Sequence, residues 1–385
     1  MRSIYVADVG DGLCMTVNTI SGKVVQIDCG GQRGEAAFKG LNKVINRFLS
    51  IDAFVLSHFH IDHYNGLLYA SRTQEFDFTI KEVYYPRIPE FKEKEEFLQC
   101  LFAMNARVFG SETGVAEYDL LEAIWRINKG ISPQHRSLSK GDNVCIDGSV
   151  FEVLWPPRVV EHKKILSPIR RAIEDFKRAL DEDEETKRLY DYVKEEGTFR
   201  AYLREQSENS EHKQTRIHND SYVALNWKKR RLPEVVRRAN DSLLEASNHL
   251  SLVLFEDNRL LFMGDAESFE IRQVVNDLKT KGRTSFFILI TPHHGSHWHN
   301  SFWQIRCLNS ITSNGSKLCS KMKQQFKDIS CRSLATFVNG DIAMSMFPTA
   351  RFCELCHGGS MKRVHTFENM HASNGDMRKK ESYDT

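Results

Sequence analysis

The feature that most constrains this chain is a cluster of metal-capable side chains directly after a short apolar segment. Ala53-Phe54-Val55-Leu56 has the composition of a buried strand, and it is followed by His58, His60, Asp62 and His63. Alternate side chains of an extended segment share a face, so His58 and His60 point the same way, and a turn then brings Asp62 round. Imidazole and carboxylate are the usual ligands of zinc and related ions, so this spacing predicts two adjacent cations. A histidine-rich surface loop is the alternative interpretation.

Two later segments repeat this arrangement of an apolar strand followed by metal-capable residues. Leu260-Leu261-Phe262-Met263 is followed by Gly264 and Asp265, and the apolar segment 286–290 is followed shortly by His293 and His294. Asp265 alone would equally suit a strand-to-helix cap. Taken together, the three segments indicate one metal site that is assembled from distant strand ends.

Length, charge and cysteine content restrict the class of protein. A chain of 385 residues with 41% hydrophobic residues can bury a large core in one or two domains. Its net charge of +2 predicts no global attraction to nucleic acid or to a membrane surface. We find no signal peptide at the amino terminus and no apolar run near the roughly 20 residues of a membrane span. The nine cysteines, an odd number, favour a reducing compartment, so we expect a cytoplasmic protein.

The pattern along the chain changes twice. Residues 1–157 alternate short β-rich segments with helical segments at 36–49, 91–108 and 117–127, and a hairpin is predicted to turn at Asp147-Gly148. Residues 158–245 are rich in both signs of charge, with sparse apolar residues at helical spacing, which predicts a charged, mostly helical insertion. Strand character returns over 246–350, and 360–385 is predicted to be a flexible tail.

The motif His58-x-His60-x-Asp62-His63 resembles the signature of the metallo-β-lactamase fold, a superfamily of metal-dependent hydrolases. This resemblance implies an α/β fold, a four-layer αββα metallo-β-lactamase sandwich. Residues 1–157 would form its first half and residues 246–350 its second half, with the charged insertion 158–245 between them. The sequence pattern itself supports the mixed αβ content, whereas the four-layer arrangement comes from the resemblance.

Further segments resemble the ComEC-type competence branch of this superfamily, whose metallo-β-lactamase domain is regarded as a DNA nuclease. They are Val9-Gly10-Asp11-Gly12, Ile27-Asp28-Cys29-Gly30, Asn248-His249-Leu250-Ser251 and His293-His294-Gly295-Ser296. The chain departs from that branch in three respects. It lacks the membrane channel, it carries the charged insertion, and Lys317-Leu318 stands where a late histidine is expected.

The resemblance also implies a ligand set for two divalent metal ions, zinc or manganese. One ion would be held by His58, His60 and, as a third ligand, His249. The other would be held by Asp62, His63 and one of the paired histidines, with His293 favoured over His294, and Asp265 would bridge the two ions. His249 is equally compatible with a structural histidine. Asp28 would bind no metal but would orient the ligand imidazoles by fixing their second nitrogen, although an aspartate in a turn is an alternative of comparable weight.

The remaining candidates concern catalysis and substrate binding. Catalytic roles are predicted for Asp62, which would position the attacking water, for Asp265 and for His294. Ser296 and His297 are candidates for contacts with a phosphate oxygen. The basic segment Trp227 to Arg231, with Lys228 and Arg230, could follow a nucleic-acid backbone, although a solvated helical face is the favoured explanation.

The sequence therefore predicts a dinuclear metal-dependent hydrolase. A hydroxide shared by the two ions would attack a phosphodiester, with DNA as the substrate. The first alternative is hydrolysis of a small ester, thioester or lactam, because one fold serves many reactions. The second alternative is a partner-binding module in which the metal is structural and the charged insertion docks a protein partner.

Overall fold

The computed structural model describes residues 1–45, 50–73, 78–111, 114–195 and 232–345. In chain order the strands are β1 (Ser3–Val6), β2 (Cys14–Asn18), β3 (Val24–Cys29), β4 (Ser50–Val55), β5 (Thr79–Pro86), β6 (Gln134–Leu138), β7 (Asn143–Ile146), β8 (Ser149–Trp155), β9 (Val253–Glu256), β10 (Leu260–Phe262), β11 (Ser285–Ile290), β12 (Arg306–Thr312), β13 (Ser330–Ala335) and β14 (Ile342–Ser345). They form two seven-stranded sheets, with the orders β14-β1-β2-β3-β4-β5-β6 and β13-β12-β11-β10-β9-β8-β7.

The helices lie outside these two sheets. They are α1 (Gly34–Ile45), α2 (Asn65–Thr73), α3 (Lys94–Phe109), α4 (Ala116–Ile127), α5 (Lys163–Glu182), α6 (Glu184–Glu195), α7 (Glu234–Asn248), α8 (Ser268–Thr280) and the single turn α9 (Thr336–Asn339). Buried residues of α1, α2 and α4 share a core with the first sheet. Those of α3, α5, α7 and α8 share another with the second sheet.

A third core lies between the sheets, and alternation along the strands explains how all three cores form. In β9, Val253 and Phe255 face the helices, whereas Leu254 joins the inter-sheet core with residues of both sheets. Successive side chains of a strand point to opposite faces, so an uninterrupted apolar strand serves two cores at once. The arrangement is the four-layer αββα sandwich of the metallo-β-lactamase fold, which confirms the predicted fold class.

The local predictions can be compared with the elements observed. The hairpin turns at Asp147-Gly148, where Ile146 pairs with Ser149 and both turn residues have positive φ, 44° and 85°. A two-residue turn of this kind requires such angles, and Asp-Gly tolerates them. The helix predicted over 36–49 corresponds to α1, with residues 46–49 outside the described ranges. The tail predicted over 360–385 also lies outside them.

The described part of the charged segment 158–245 consists mainly of α5, α6 and most of α7. Apolar residues of α5, such as Ile169 and Phe176, are fully buried in the core over the second sheet. The buried carboxylate of Asp175 on α5 accepts a hydrogen bond of 2.7 Å from Ser242 Oγ on α7. The two helices thus pack together, and α7 ends at Asn248 close to the predicted metal centre. No helix in the described ranges is long and apolar enough to cross a membrane.

Candidate metal centre

The predicted ligands lie where parallel strands of both sheets end. β3 pairs parallel with β4 in the first sheet, and β10, β11 and β12 are parallel in the second. Asp28 lies at the end of β3, and the residues from His58 to His63 follow β4. Asp265 follows β10, and His293 and His294 follow β11. Because the carboxyl ends of parallel strands share one edge of a sheet, these segments meet there.

The side chains meet closely enough to surround metal ions. Two groups of three residues each place their ligand atoms within 4.8 Å of one another: His58, His63 and Asp265 in one group, and Asp62, His63 and His294 in the other. His58 Nε2 lies 3.7 Å from Asp265 Oδ2, and His294 Nε2 lies 3.9 Å from the same oxygen. The ring of His60 lies 4.3 Å from that of His58. The two groups share His63 and form one continuous, largely buried centre.

Asp28 determines which nitrogen of two imidazoles faces the centre. Its Oδ2 accepts hydrogen bonds from Ser57 Oγ at 2.6 Å and from His63 Nδ1 at 2.7 Å, and its Oδ1 accepts one from the Ser57 backbone N–H at 2.7 Å. Since the Ser57 hydroxyl donates its proton to Asp28, it can only accept from His58 Nδ1, 3.0 Å away. Nε2 of His58 and Nε2 of His63 are therefore left for a ligand, and both atoms are buried without a hydrogen-bond partner.

The other two histidines are oriented in the same manner. His60 Nε2 lies 2.6 Å from Ser247 Oγ and 3.1 Å from the Leu244 carbonyl oxygen, which can only accept, so Nδ1 of His60 is left for a ligand. His294 Nδ1 donates to the Ser313 carbonyl oxygen at 2.9 Å and leaves Nε2. Metal-binding histidines in proteins characteristically donate their other N–H to a carboxylate, a carbonyl or a similar acceptor. All four imidazoles therefore fit a metal centre.

Burial and neighbouring charge shift the protonation of these groups. Burial, with the positive charges of His63 and His60, holds the pKa of His58 well below its ordinary value, and burial lowers the pKa of His60 to about 4. Burial also opposes the charge on His63, but the carboxylate of Asp28 outweighs it and raises the pKa of His63 to about 10. For Asp265, the surrounding imidazoles outweigh burial and hold the pKa well below its usual range. His58 and His60 are thus neutral beside the ionised Asp265, whereas His63 carries a proton on Nε2 that a bound cation would displace.

The backbone between β11 and β12 directs the paired histidines to different places. His293, His294 and Gly295 all have positive φ, at 46°, 54° and 80°. The two imidazole rings are almost perpendicular, at 88°, and their centroids are 6.1 Å apart. His294 points into the group with Asp62 and His63. His293 Nδ1 lies 4.0 Å from Asp265 Oδ2, but the three-residue group to which it belongs is a different one, with Glu267 and His297.

Three of the remaining candidates lie among the described residues. His249 Nδ1 is 2.9 Å from Glu270 Oε1, and the residue belongs to none of the three-residue ligand groups found among the described residues. Ser296 Oγ donates to the His293 carbonyl oxygen at 2.7 Å, so its hydroxyl stabilises the turn. His297 Nδ1 lies 3.1 Å from Glu267 Oε2. Lys228 and Arg230 lie outside the described residues.

Sequence analysis did not identify several residues that complete the centre. Ser57 links Asp28 to His58, Ser247 supports His60, and Glu267 lies between His293 and His297. Ser57 and Glu267 lie next to predicted ligands in the chain, and that proximity was the available signal. Ser247 is 187 residues from His60 in the chain, and no local sequence pattern predicts such a contact.

No protein-family model and no curated protein matches this chain. Among solved structures it is similar to a diphosphatase from the PhnP family, at 10% identity over 90% of this chain and 98% of the other, with a TM-score of 0.38. It is similar to a long-form RNase Z from yeast at 9% identity, over 82% of this chain and 37% of the RNase Z chain, with a TM-score of 0.37. It is also similar to a metallo-β-lactamase superfamily protein from Sulfolobus tokodaii at 11% identity, over 64% of this chain and 97% of the other, with a TM-score of 0.24. These neighbours are members of the metallo-β-lactamase superfamily, and at such identities the similarity concerns the fold alone.

Proposed function

We propose that this protein is a dinuclear metal-dependent hydrolase that cleaves phosphodiesters, and that DNA is its substrate. The observation that carries the hydrolase proposal is the orientation of four imidazoles. Each of them has one nitrogen bound by an outer hydrogen-bond partner. The ligand atoms of His58, His63 and His294 lie in groups with Asp62 or Asp265, and the ring of His60 lies 4.3 Å from that of His58. Such outer partners are characteristic of metal ligands. A histidine-rich surface loop would show neither the burial nor the shared orientation.

In this proposal His58 and His60 hold one divalent cation, and Asp62, His63 and His294 hold the other. Asp265 lies between them, because its Oδ2 is within 4 Å of both His58 Nε2 and His294 Nε2. We prefer His294 to His293 as the ligand, since its Nε2 joins the group with Asp62 and His63. His249 stays a candidate third ligand of the first cation, because Glu270 binds only its Nδ1, as Asp28 does for His63.

Two such cations, when bound, activate a water molecule and stabilise the charge that develops on the entering and leaving oxygens. The chain supplies positions for the reacting groups. Asp62 is less buried than His63, and its carboxylate can orient the attacking water. His297, partly exposed near the centre, can contact a phosphate oxygen of the substrate. Asp28 keeps the ligands in place through Ser57 and His63.

The choice of a phosphodiester rests on the sequence motifs that resemble the ComEC-type branch. The glycine turn Val9-Gly10-Asp11-Gly12 packs against the Ser313-Asn314-Gly315 segment: Asp11 accepts a hydrogen bond of 2.9 Å from the Gly315 N–H, and Ser313 Oγ donates to the Gly12 carbonyl oxygen at 2.7 Å. The second segment also contacts a proposed ligand, because the Ser313 carbonyl oxygen accepts the hydrogen bond from His294 Nδ1. Lys228 and Arg230 remain candidates for contacts with the nucleic-acid backbone.

The test combines metal analysis with cleavage assays on plasmid DNA, single-stranded DNA and RNA, in the presence of Mn²⁺ or Zn²⁺. We expect DNA cleavage that the substitution Asp265→Asn reduces by at least about 1,000-fold, as expected for the loss of a charge that acts in the transition state. Asp175→Asn is the matched control, because Asp175 is a buried carboxylate that binds Ser242 and two arginines instead. Two bound cations without cleavage of any nucleic acid would reject the nuclease and favour a small ester, thioester or lactam. Absence of metal binding would favour a partner-binding module.

A further inference from the structure

A second cluster of metal-capable side chains lies beside the predicted metal centre and is more exposed to solvent. Glu267, His293 and His297 each place one ligand atom within 4.8 Å of the others. Their side chains are 20%, 25% and 28% exposed, against 1% for His58 and 7% for Asp265 in the predicted centre. We propose that these three residues form an additional binding site for a divalent cation, with a coordination position open to solvent.

The distances fit a tetrahedral ion. His297 Nδ1 is 3.1 Å from Glu267 Oε2, and His293 Nδ1 is 3.7 Å from Glu267 Oε1. Ligand bonds of about 2.0–2.1 Å around a tetrahedral zinc ion place two ligand atoms roughly 3.4 Å apart. The observed separations lie on either side of this value. Two imidazoles and one carboxylate are also the ligand set of zinc sites that keep a fourth position for water or substrate.

The hydrogen bonding of His297 distinguishes a cation site from an ordinary polar network. In such a network His297 Nδ1 would donate a hydrogen bond to Glu267. The atom is buried, yet it makes no hydrogen bond, although Glu267 Oε2 is only 3.1 Å away. A buried ring nitrogen without a partner, next to a carboxylate and a second imidazole, is the arrangement that a cation completes.

The turn after β11 holds His293 in this second cluster. The positive φ of His293 turns its ring away from that of His294, and the turn is fixed at both ends. The His293 N–H donates to the Gly264 carbonyl oxygen at 3.0 Å, and Ser296 Oγ donates to the His293 carbonyl oxygen at 2.7 Å. One pair of adjacent histidines thereby serves two neighbouring sites.

The site adjoins the predicted centre through Asp265, whose Oδ2 is 4.0 Å from His293 Nδ1. A cation here would lie on the solvent side of the pair and could bind an additional phosphate oxygen of the substrate. This role in substrate binding rests on the proposed function, whereas the site itself does not. Its presence can therefore be tested by metal binding alone.

The experiment is a Zn²⁺ titration of the metal-stripped full-length chain by calorimetry, with metal content checked by mass spectrometry. We expect three zinc ions per chain for the wild type, and two for His297→Ala and for the nearly isosteric Glu267→Gln, which guards against misfolding of the alanine variant. His299→Ala is the matched control and should keep three ions, since His299 Nδ1 accepts a hydrogen bond from the Ser301 N–H and lies outside the cluster.

Equal zinc stoichiometry in the wild type and Glu267→Gln would overturn the additional site. The outcome is independent of catalysis. Three ions without cleavage of nucleic acid would support the site while rejecting the nuclease, and two ions with cleavage would reject the site while supporting the nuclease. Loss of two ions or more in His297→Ala, with circular dichroism unchanged, would also contradict the proposal, because His297 would then belong to the main centre.

Discussion

Replacing Asp28 by asparagine should disturb two metal ligands at once, although Asp28 itself binds no cation in the proposed site. The Ser57 backbone N–H needs an acceptor, so the amide oxygen of the new side chain would take the place of Oδ1. The amide N–H₂ would then face Ser57 Oγ and His63 Nδ1, where a carboxylate oxygen now accepts two hydrogen bonds. His63 Nδ1 can accept a hydrogen bond from this N–H₂ group only when Nδ1 is unprotonated. The proton of the neutral imidazole then lies on Nε2.

The same substitution reaches His58 through Ser57. With an N–H₂ group as its neighbour, the Ser57 hydroxyl accepts that hydrogen bond and turns its own proton towards His58 Nδ1, 3.0 Å away. His58 would then also carry its proton on Nε2, the atom directed at the cations. Changes of such outer partners typically lower metal affinity about 10- to 100-fold, or about 1.4–2.8 kcal/mol. This loss of binding free energy is roughly the net contribution of one hydrogen bond to a charged group. We expect a loss of this size for each of the two cations.

The assay is competition between the protein and a zinc chelator, with ¹⁵N NMR of the histidine rings to identify the protonated nitrogen. Asp175→Asn is again the control and should lower stability without changing zinc affinity, because Asp175 contacts α7 and not the ligands. Wild-type affinity of folded Asp28→Asn protein for both cations would contradict the expected shift of the protons. Protonated Nδ1 atoms on both His58 and His63 in the variant would contradict it equally.

Three further predictions concern parts of the same centre. Ser247→Ala should lower zinc affinity about tenfold in the chelator assay, because it removes the partner of a ligand, whereas Ser242→Ala on the same helix should lower only the stability measured in urea. Gly30→Ala should lower zinc affinity at least about tenfold, since its Cβ would overlap the backbone of the metal-binding turn, and wild-type affinity would contradict this. In the metal-stripped protein, folding stability should fall as pH rises from 6.5 to about 10. Folded His63 retains a proton over that range that the unfolded chain releases, and urea denaturation should show a smaller fall in Asp28→Asn.

Much of the proposed centre could be predicted because its candidate ligands follow apolar strands in the sequence. The end of an apolar segment is visible in the residues themselves, as with Ala53-Phe54-Val55-Leu56 before His58. Parallel strands then bring such ends to one edge without further information. The predictions of mixed αβ content and of the hairpin at Asp147-Gly148 rest on similarly local properties, namely alternation, helical spacing and turn chemistry, whereas the arrangement in four layers came from the resemblance.

The choice between neighbouring histidines could not be made in this way. The preference for His293 assumed that the residue nearer the strand end binds the cation, but the left-handed backbone of the turn points His294 to Asp62 and His63. Glu270 on α8 binds His249 Nδ1, a contact that suits a structural histidine and an oriented ligand equally. Dihedral angles and partners of this kind depend on packing of the whole fold.

The sequence by itself determined which side chains were available and at which strand ends they lie, because hydrophobic period and local spacing are properties of short segments. Only the tertiary structure decided how those side chains are oriented. Asp28, Ser247 and the Ser313 carbonyl come from separate elements, and their hydrogen bonds select the nitrogen that each histidine presents. Composition predicts a charged, mostly helical insertion over 158–245, and only the tertiary packing brings Ser247 of α7, just beyond that segment, against the candidate ligand His60.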